Sequence, residues 1–182
     1  QKAYSRATLA LTEATDGLNN EKKQLKQAEA VLGQAAALPK ESISAVMALL
    51  EEAKSLGIHN INAGKVTSVK DVTWQEAAKQ ARLDQAQAER LEKVSQKLGD
   101  SHTCPTCTQT VPDMEAVVKT AQRAFTVSYS KACCGLLAAL KPFNLEPPKG
   151  TPLQDVVNQM TRWLKLYAIV DQSRLRPAID EA

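Results

Sequence analysis

Tyr4, Leu11, Leu18, Leu25 and Leu32 recur every seven residues, and Ala7, Ala14, Ala28 and Ala35 form a second row with Glu21 as its polar break. Apolar positions spaced by three and four build the seam of a coiled coil, whereas a strand would alternate with period two. The segment from about Ala3 to Ala37 therefore reads as one helix, paired along that seam or packed as an amphipathic face in a bundle. Gly17 and Gly33 weaken it by about 1 kcal/mol each relative to Ala. Only 4% of the 182 residues are aromatic, which favours long helices joined through small side chains over a compact aromatic core.

The remaining chain keeps the helical theme with marked breaks. Leu38-Pro39 ends or kinks the first helix, since proline removes an amide donor and restricts its predecessor. A shorter helix is expected from Glu41 to Leu56, with Gly57 as its C-cap. Periodicity is lost from Ile58 to Val72, where Ile58, Ile61, Val66, Val69 and Val72 suit one or two short strands or a loop that packs down. Thr73 and Glu76 make a capping box, so a helix should run from there to Leu98 through Trp74, Ala77, Ala81, Ala88 and Leu91. Asp84 interrupts that apolar row and predicts imperfect packing. Val111-Pro112-Asp113 opens the next helix, whose face includes Met114, Val117, Ala121, Ala124, Ser128 and Ala132 and which ends at Pro142. A proline-rich connector follows. Thr151 and Pro152 suit the Ncap and N1 positions of a last helix that Pro177 should finish. The chain thus divides into 1–72, with an outer helix, a short helix and an irregular segment; 73–141, a helical hairpin; and 142–182, the connector and C-terminal helix.

Cys104-Pro105-Thr106-Cys107 sits between the two helices of that hairpin, at its expected tip. Two thiols two residues apart can grip one face of a metal ion, and a structural Zn²⁺ takes four ligands in a tetrahedron. Cys133 and Cys134 are adjacent and cannot form a second such pair. The missing ligands are therefore expected from a second copy of the chain. The expected fold is all-α: an antiparallel coiled-coil hairpin with a CxxC turn at its apex, plus additional short helices.

With its flanks, Ser101-His102-Thr103 before and Thr108-Gln109-Thr110-Val111-Pro112-Asp113 after, the turn resembles the zinc hook of SMC-like ATPases of the SbcC type. The resemblance covers roughly Gln75 to Ala132, and Thr108 stands where a glycine often follows the second cysteine. It implies that Cys104 and Cys107 of two copies share one Zn²⁺ in a Cys₄ site. It also implies that the dimer joins ATPase arms in DNA double-strand-break processing or in defence against phage or plasmids. DNA and a nuclease subunit would then be partners only through the parent complex, and the location would be cytoplasmic.

Three other readings compete. A helical interaction module with a redox-active CxxC is one, although such pairs normally follow a buried strand. An intramolecular metal site using His102, Cys133 or Cys134 is another, and so are ordinary free cysteines, with Cys133 and Cys134 as small packing residues. Net charge is only +3, from 23 basic and 20 acidic residues. Lys22, Lys23 and Lys26, the nearest approach to a basic patch, read as a solvated helix face, and His59 as a surface histidine. No run of about 18 apolar residues occurs, so no membrane span is expected, and the first residues lack the layout of a signal peptide. Gln1 in place of a leading Met reads as an excised fragment or a processed chain. No phosphate loop, Gly-x-Ser-x-Gly or His-Glu-x-x-His is present. This segment is therefore expected to carry no catalysis, and any ATPase motifs would belong to the parent protein.

Overall fold

A computed structural model describes residues 2–34, 37–64, 72–98, 109 and 113–180, with the side chains of 2–9, 34 and 173–180 left aside. It contains five α-helices: α1 (Lys2–Gln34), α2 (Lys40–Ser55), α3 (Trp74–Leu98), α4 (Met114–Leu140) and α5 (Leu153–Asp180). A 3₁₀ turn, Lys141–Phe143, follows α4. Among the described residues there is no β-strand, and the all-α expectation holds. The chain groups into two compact units, one of Gln1–Ser44 with Asn158–Ala182 and the other of Ala45–Val157.

In the first unit, Ala28, Leu38, Ile43, Met160, Trp163 and Val170 are buried. The Tyr167 hydroxyl donates to the Leu38 carbonyl at 3.0 Å, and Lys40 pairs with Asp171. Pro39 marks the start of α2, because its carbonyl accepts from the amides of Ser42 and Ile43. The heptad row of α1 is only partly used. Leu25 and Leu32 are half-buried, while Leu11 and Leu18 are 70% and 50% exposed.

The second unit is built around α3 and α4. Helix α2 delivers Val46, Leu50 and Ala53 to its core and ends in a Schellman arrangement. The Ile58 amide donates to Ala53 O at 2.9 Å, and the Gly57 amide to Lys54 O at 3.0 Å. Gly57 has φ +90°, a conformation that glycine takes without steric cost. The segment 58–64 is then extended but pairs with no strand. It makes one antiparallel bridge, Asn60 with Pro152, flanked by hydrogen bonds from Ile61 N to Thr151 O (2.9 Å), Gly150 N to Ile61 O (2.6 Å) and Leu153 N to His59 O (2.8 Å). Ile58 and Ile61 are buried beneath it. Over 58–64 the loop that packs down is the one found; the rest of the expected stretch, with Val66 and Val69, lies outside the described residues but for Val72.

The capping box forms as expected. Thr73 donates its amide and hydroxyl to the Glu76 carboxylate, both at 3.0 Å, and the Glu76 amide donates to Thr73 Oγ1 at 3.3 Å. These bonds, the backbone one foremost, hold the Glu76 carboxyl below its usual range. Two boundaries differ from expectation. Helix α5 starts at Leu153, not Pro152, because Pro152 is still extended in its bridge with Asn60. It also runs on through Pro177 to Asp180, since proline removes one amide bond and a helix of 28 residues can absorb that loss.

Candidate functional site

Cys104 and Cys107, the expected metal ligands, lie outside the described residues, as do His102, Pro105 and Thr108. What the structure describes is the pair of helices that leads into and out of that turn. On the outgoing side, Asp113 is the N-cap of α4, and its carboxylate accepts from the amides of Glu115 (3.0 Å) and Ala116 (3.2 Å). Capping satisfies donors that a helix start otherwise leaves without partners.

Helices α3 and α4 pack antiparallel. Near the start of α3, Trp74 meets Gly135: a Cβ added at position 135 would lie 2.6 Å from Trp74 Cβ and 3.3 Å from its Cα. Further along, Ser128 donates to Asp84 Oδ2 at 2.6 Å, while Gln80 of the preceding turn donates to Asp84 Oδ1 at 2.8 Å. Beyond that, Leu91 shares a groove of about 390 Å³ with Val117 and Ala121. Along α3, Trp74, Ala77, Ala81, Asp84, Ala88, Leu91, Ser95 and Leu98 form one buried or half-buried row, beside which Ala78 is buried and Gln75 half-buried. The spacing of that row alternates three and four without a fault. At Asp84 the packing is imperfect as expected, since it also lines the groove beside Leu91, but its carboxylate is satisfied because the residue opposite it is a serine.

The other two cysteines are accounted for on α4. Four of its side chains face the 59–64 backbone and bind it. Tyr129 OH donates to Asn60 O at 3.0 Å and accepts from the amides of His59 and Asn60 at 3.3 Å. Ser130 Oγ lies 3.3 Å from the Gly64 amide and 3.4 Å from Asn62 O. Cys133 Sγ accepts from Asn62 N at 3.4 Å and donates to Asn60 O at 3.6 Å. Cys134 Sγ donates to Gly64 O at 3.8 Å. Burial pushes the Cys133 thiol above its ordinary range, against the Asn62 hydrogen bond that favours the thiolate. Both cysteines pack as expected of small residues, and Cys133 is fully buried. Their grip on an extended segment was not anticipated. The available signal was the polar row Tyr129, Ser130, Cys133 and Cys134 at spacings of one, three and one on an otherwise apolar helix face.

Among the described residues, no group of three or more His, Cys, Asp or Glu side chains is arranged to hold a metal. Lys22, Lys23, Lys26 and His59 are exposed, in keeping with their reading as surface groups. No described helix is long and apolar enough to cross a membrane. Compared with known proteins, the chain matches no family model, no curated protein and no solved structure.

Proposed function

We propose that this chain is a dimerisation module in which Cys104 and Cys107 of two copies share one Zn²⁺ at the tip of the α3–α4 hairpin. The observation that supports it is the register of the two helices. Trp74 and Gly135, and likewise Asp84 and Ser128, are nearly equidistant along the chain from residue 105. An antiparallel coiled coil with that register has its midpoint at Pro105, between the two thiols. Two thiols two residues apart can make half of a tetrahedral site, and a second copy supplies the other half. Cysteine thiolates suit Zn²⁺, with Zn–S bonds of about 2.3 Å. Structural zinc sites are worth on the order of 10–16 kcal/mol in small peptides, enough to hold a small interface.

A thioredoxin-like pair has a strand leading to its first cysteine, whereas helix α3 leads toward Cys104; that favours the metal over the redox reading. In the larger picture the module belongs to a cytoplasmic SMC-like ATPase of double-strand-break processing or defence. Its role is structural, coupling two arms. ATP hydrolysis, DNA contacts and a nuclease partner belong to the rest of that assembly.

Native mass spectrometry of the purified chain, before and after a strong chelator, tests the proposal. The expected result is a dimer carrying one zinc that falls to metal-free monomer on chelation. A metal-free monomer, or one zinc per monomer, would overturn it.

A further inference from the structure

The α3–α4 seam has an unusual problem of register. Along α3 the two heptad rows offer Trp74, Ala81 and Ala88, and Ala77, Leu91 and Leu98 with Asp84 between them; along α4 Met114, Ala121 and Gly135 share one heptad row with Ser128, and Ala132 lies three residues before Gly135. Small apolar side chains repeated every seven residues fit nearly as well after a slip of one heptad, so they hold helices together without fixing which residue faces which. On the tip side of Asp84 the packing is looser still. Ala88, Leu91, Val117 and Ala121 are the main apolar contacts there, with the groove of about 390 Å³ beside them.

Two layers break this degeneracy: Trp74 closely against Gly135 near the base of the hairpin, and a polar pair nearer the tip. Asp84 and Ser128 occupy matching seam positions, both half-buried, and are bonded at 2.6 Å. After a slip of one heptad, Asp84 would face Ala121 or Gly135, and Ser128 would face Ala77 or Leu91. A half-buried carboxylate would then keep only the Gln80 bond from its own helix and lose its donor from the opposite one, and a carboxylate oxygen left without its donor is costly where the bonded one is not. A single polar layer that tolerates only one pairing is a known way of specifying register at some expense of stability.

We infer that the Asp84–Ser128 hydrogen bond is the register lock of the tip half of the hairpin, where the Trp74–Gly135 contact does not reach, and the device that centres its turn on Cys104 and Cys107. These are positioning residues: they touch no metal and act through the helices. The link to the cysteines rests on the zinc reading above, whereas the lock itself does not. A slip of one heptad displaces one helix by about 10 Å along the other and moves the centre of the turn by roughly three to four residues, half a heptad. That is the full span of the CxxC, so one thiol would be drawn off the tip and a shared tetrahedral site would lose its geometry.

The test uses the full chain with all four cysteines intact. A benzophenone side chain, Leu91→p-benzoylphenylalanine, is placed in the groove, and its photo-adduct is located by peptide mass spectrometry, with and without chelator. In the parent background the adduct is expected between Val117 and Ala121. With Asp84→Ala it is expected to spread by a heptad, to the neighbourhoods of Met114 and Ser128. Asp84→Asn, which keeps an acceptor for the Ser128 hydroxyl, should restore the single position. In parallel, Asp84→Ala without the crosslinker should raise the protein concentration needed for half-dimerisation in zinc at least tenfold, with helix content by circular dichroism unchanged. An adduct that stays between Val117 and Ala121 in Asp84→Ala overturns the lock. A moved adduct with unaltered zinc dimerisation overturns its coupling to the cysteines. If no variant, parent included, dimerises with zinc, the zinc reading fails while the adduct positions still decide the lock.

Discussion

Cys133 has two jobs in one side chain. It fills a fully buried position, and it bonds both ways to the backbone of Asn60 and Asn62. Cys133→Ala should therefore cost more than its few lost atoms suggest, about 1–3 kcal/mol, because the Asn62 amide loses its acceptor. The same site has a pH signature. The folded thiol keeps its proton above the ordinary thiol pKa of about 8.5, while the unfolded chain releases it there. The thiol's contribution is thus complete below that value and declines as pH rises beyond it. Urea unfolding at pH 7 and pH 9.5 should show a larger loss of stability for the parent chain than for Cys133→Ala; equal losses would contradict the assignment. In the sequence, the size of Cys133 and Cys134 was legible but their hydrogen bonding was not. Their partner lies about 70 residues earlier in an aperiodic stretch, and a bond to backbone leaves no mark on the identity of the partner residue.

At the scale of elements, the punctuation of the chain proved readable wherever one local contact decides it. Thr73 with Glu76, Asp113, Gly57 and Pro39 each mark a boundary because a cap or a missing amide acts within one turn. The three-four spacing of α3 was legible for the same reason. Two things were not: the course of α5 through Pro177, where a long helix outweighs a local penalty, and the exposure of Leu11 and Leu18, since periodicity announces a face without saying what covers it. Nor does any sequence rule single out Gly135, whose role depends on Trp74 lying against it. Gly135→Ala gains about 1 kcal/mol of helix propensity but puts a methyl group 2.6 Å from Trp74 Cβ, and overpacking of this kind costs about 1–3 kcal/mol. A lowered thermal midpoint is expected. Gly17→Ala, with nothing within 4 Å of the added carbon, should keep the propensity gain and raise helix content. If both variants were stabilised, the close approach of α3 and α4 would be wrong.

At the scale of the molecule, the candidate site was legible only as chemistry. The spacing of Cys104 and Cys107 suggests a metal, and the helical patterns on either side suggest a turn between them; what no local pattern gives is the pairing of α3 with α4, which depends on residues about 45 and 60 positions apart. Replacing both with serine should abolish zinc-dependent dimers and leave the circular dichroism spectrum essentially unchanged. Dimers surviving the double change would place the interface elsewhere. The bridge between Asn60 and Pro152, with its neighbouring bonds, carries a different consequence. It fastens the two ends of a stretch of roughly 90 residues, so that α3 and α4 leave from and return to one closed clasp. Closing a longer loop costs only about 0.6 kcal/mol for each doubling of its length. Evolution or design could therefore add matched heptads to both helices, moving the turn outward by about 10 Å each time, and never disturb the clasp. Reach and anchorage are separable properties of this chain, each open to change without the other.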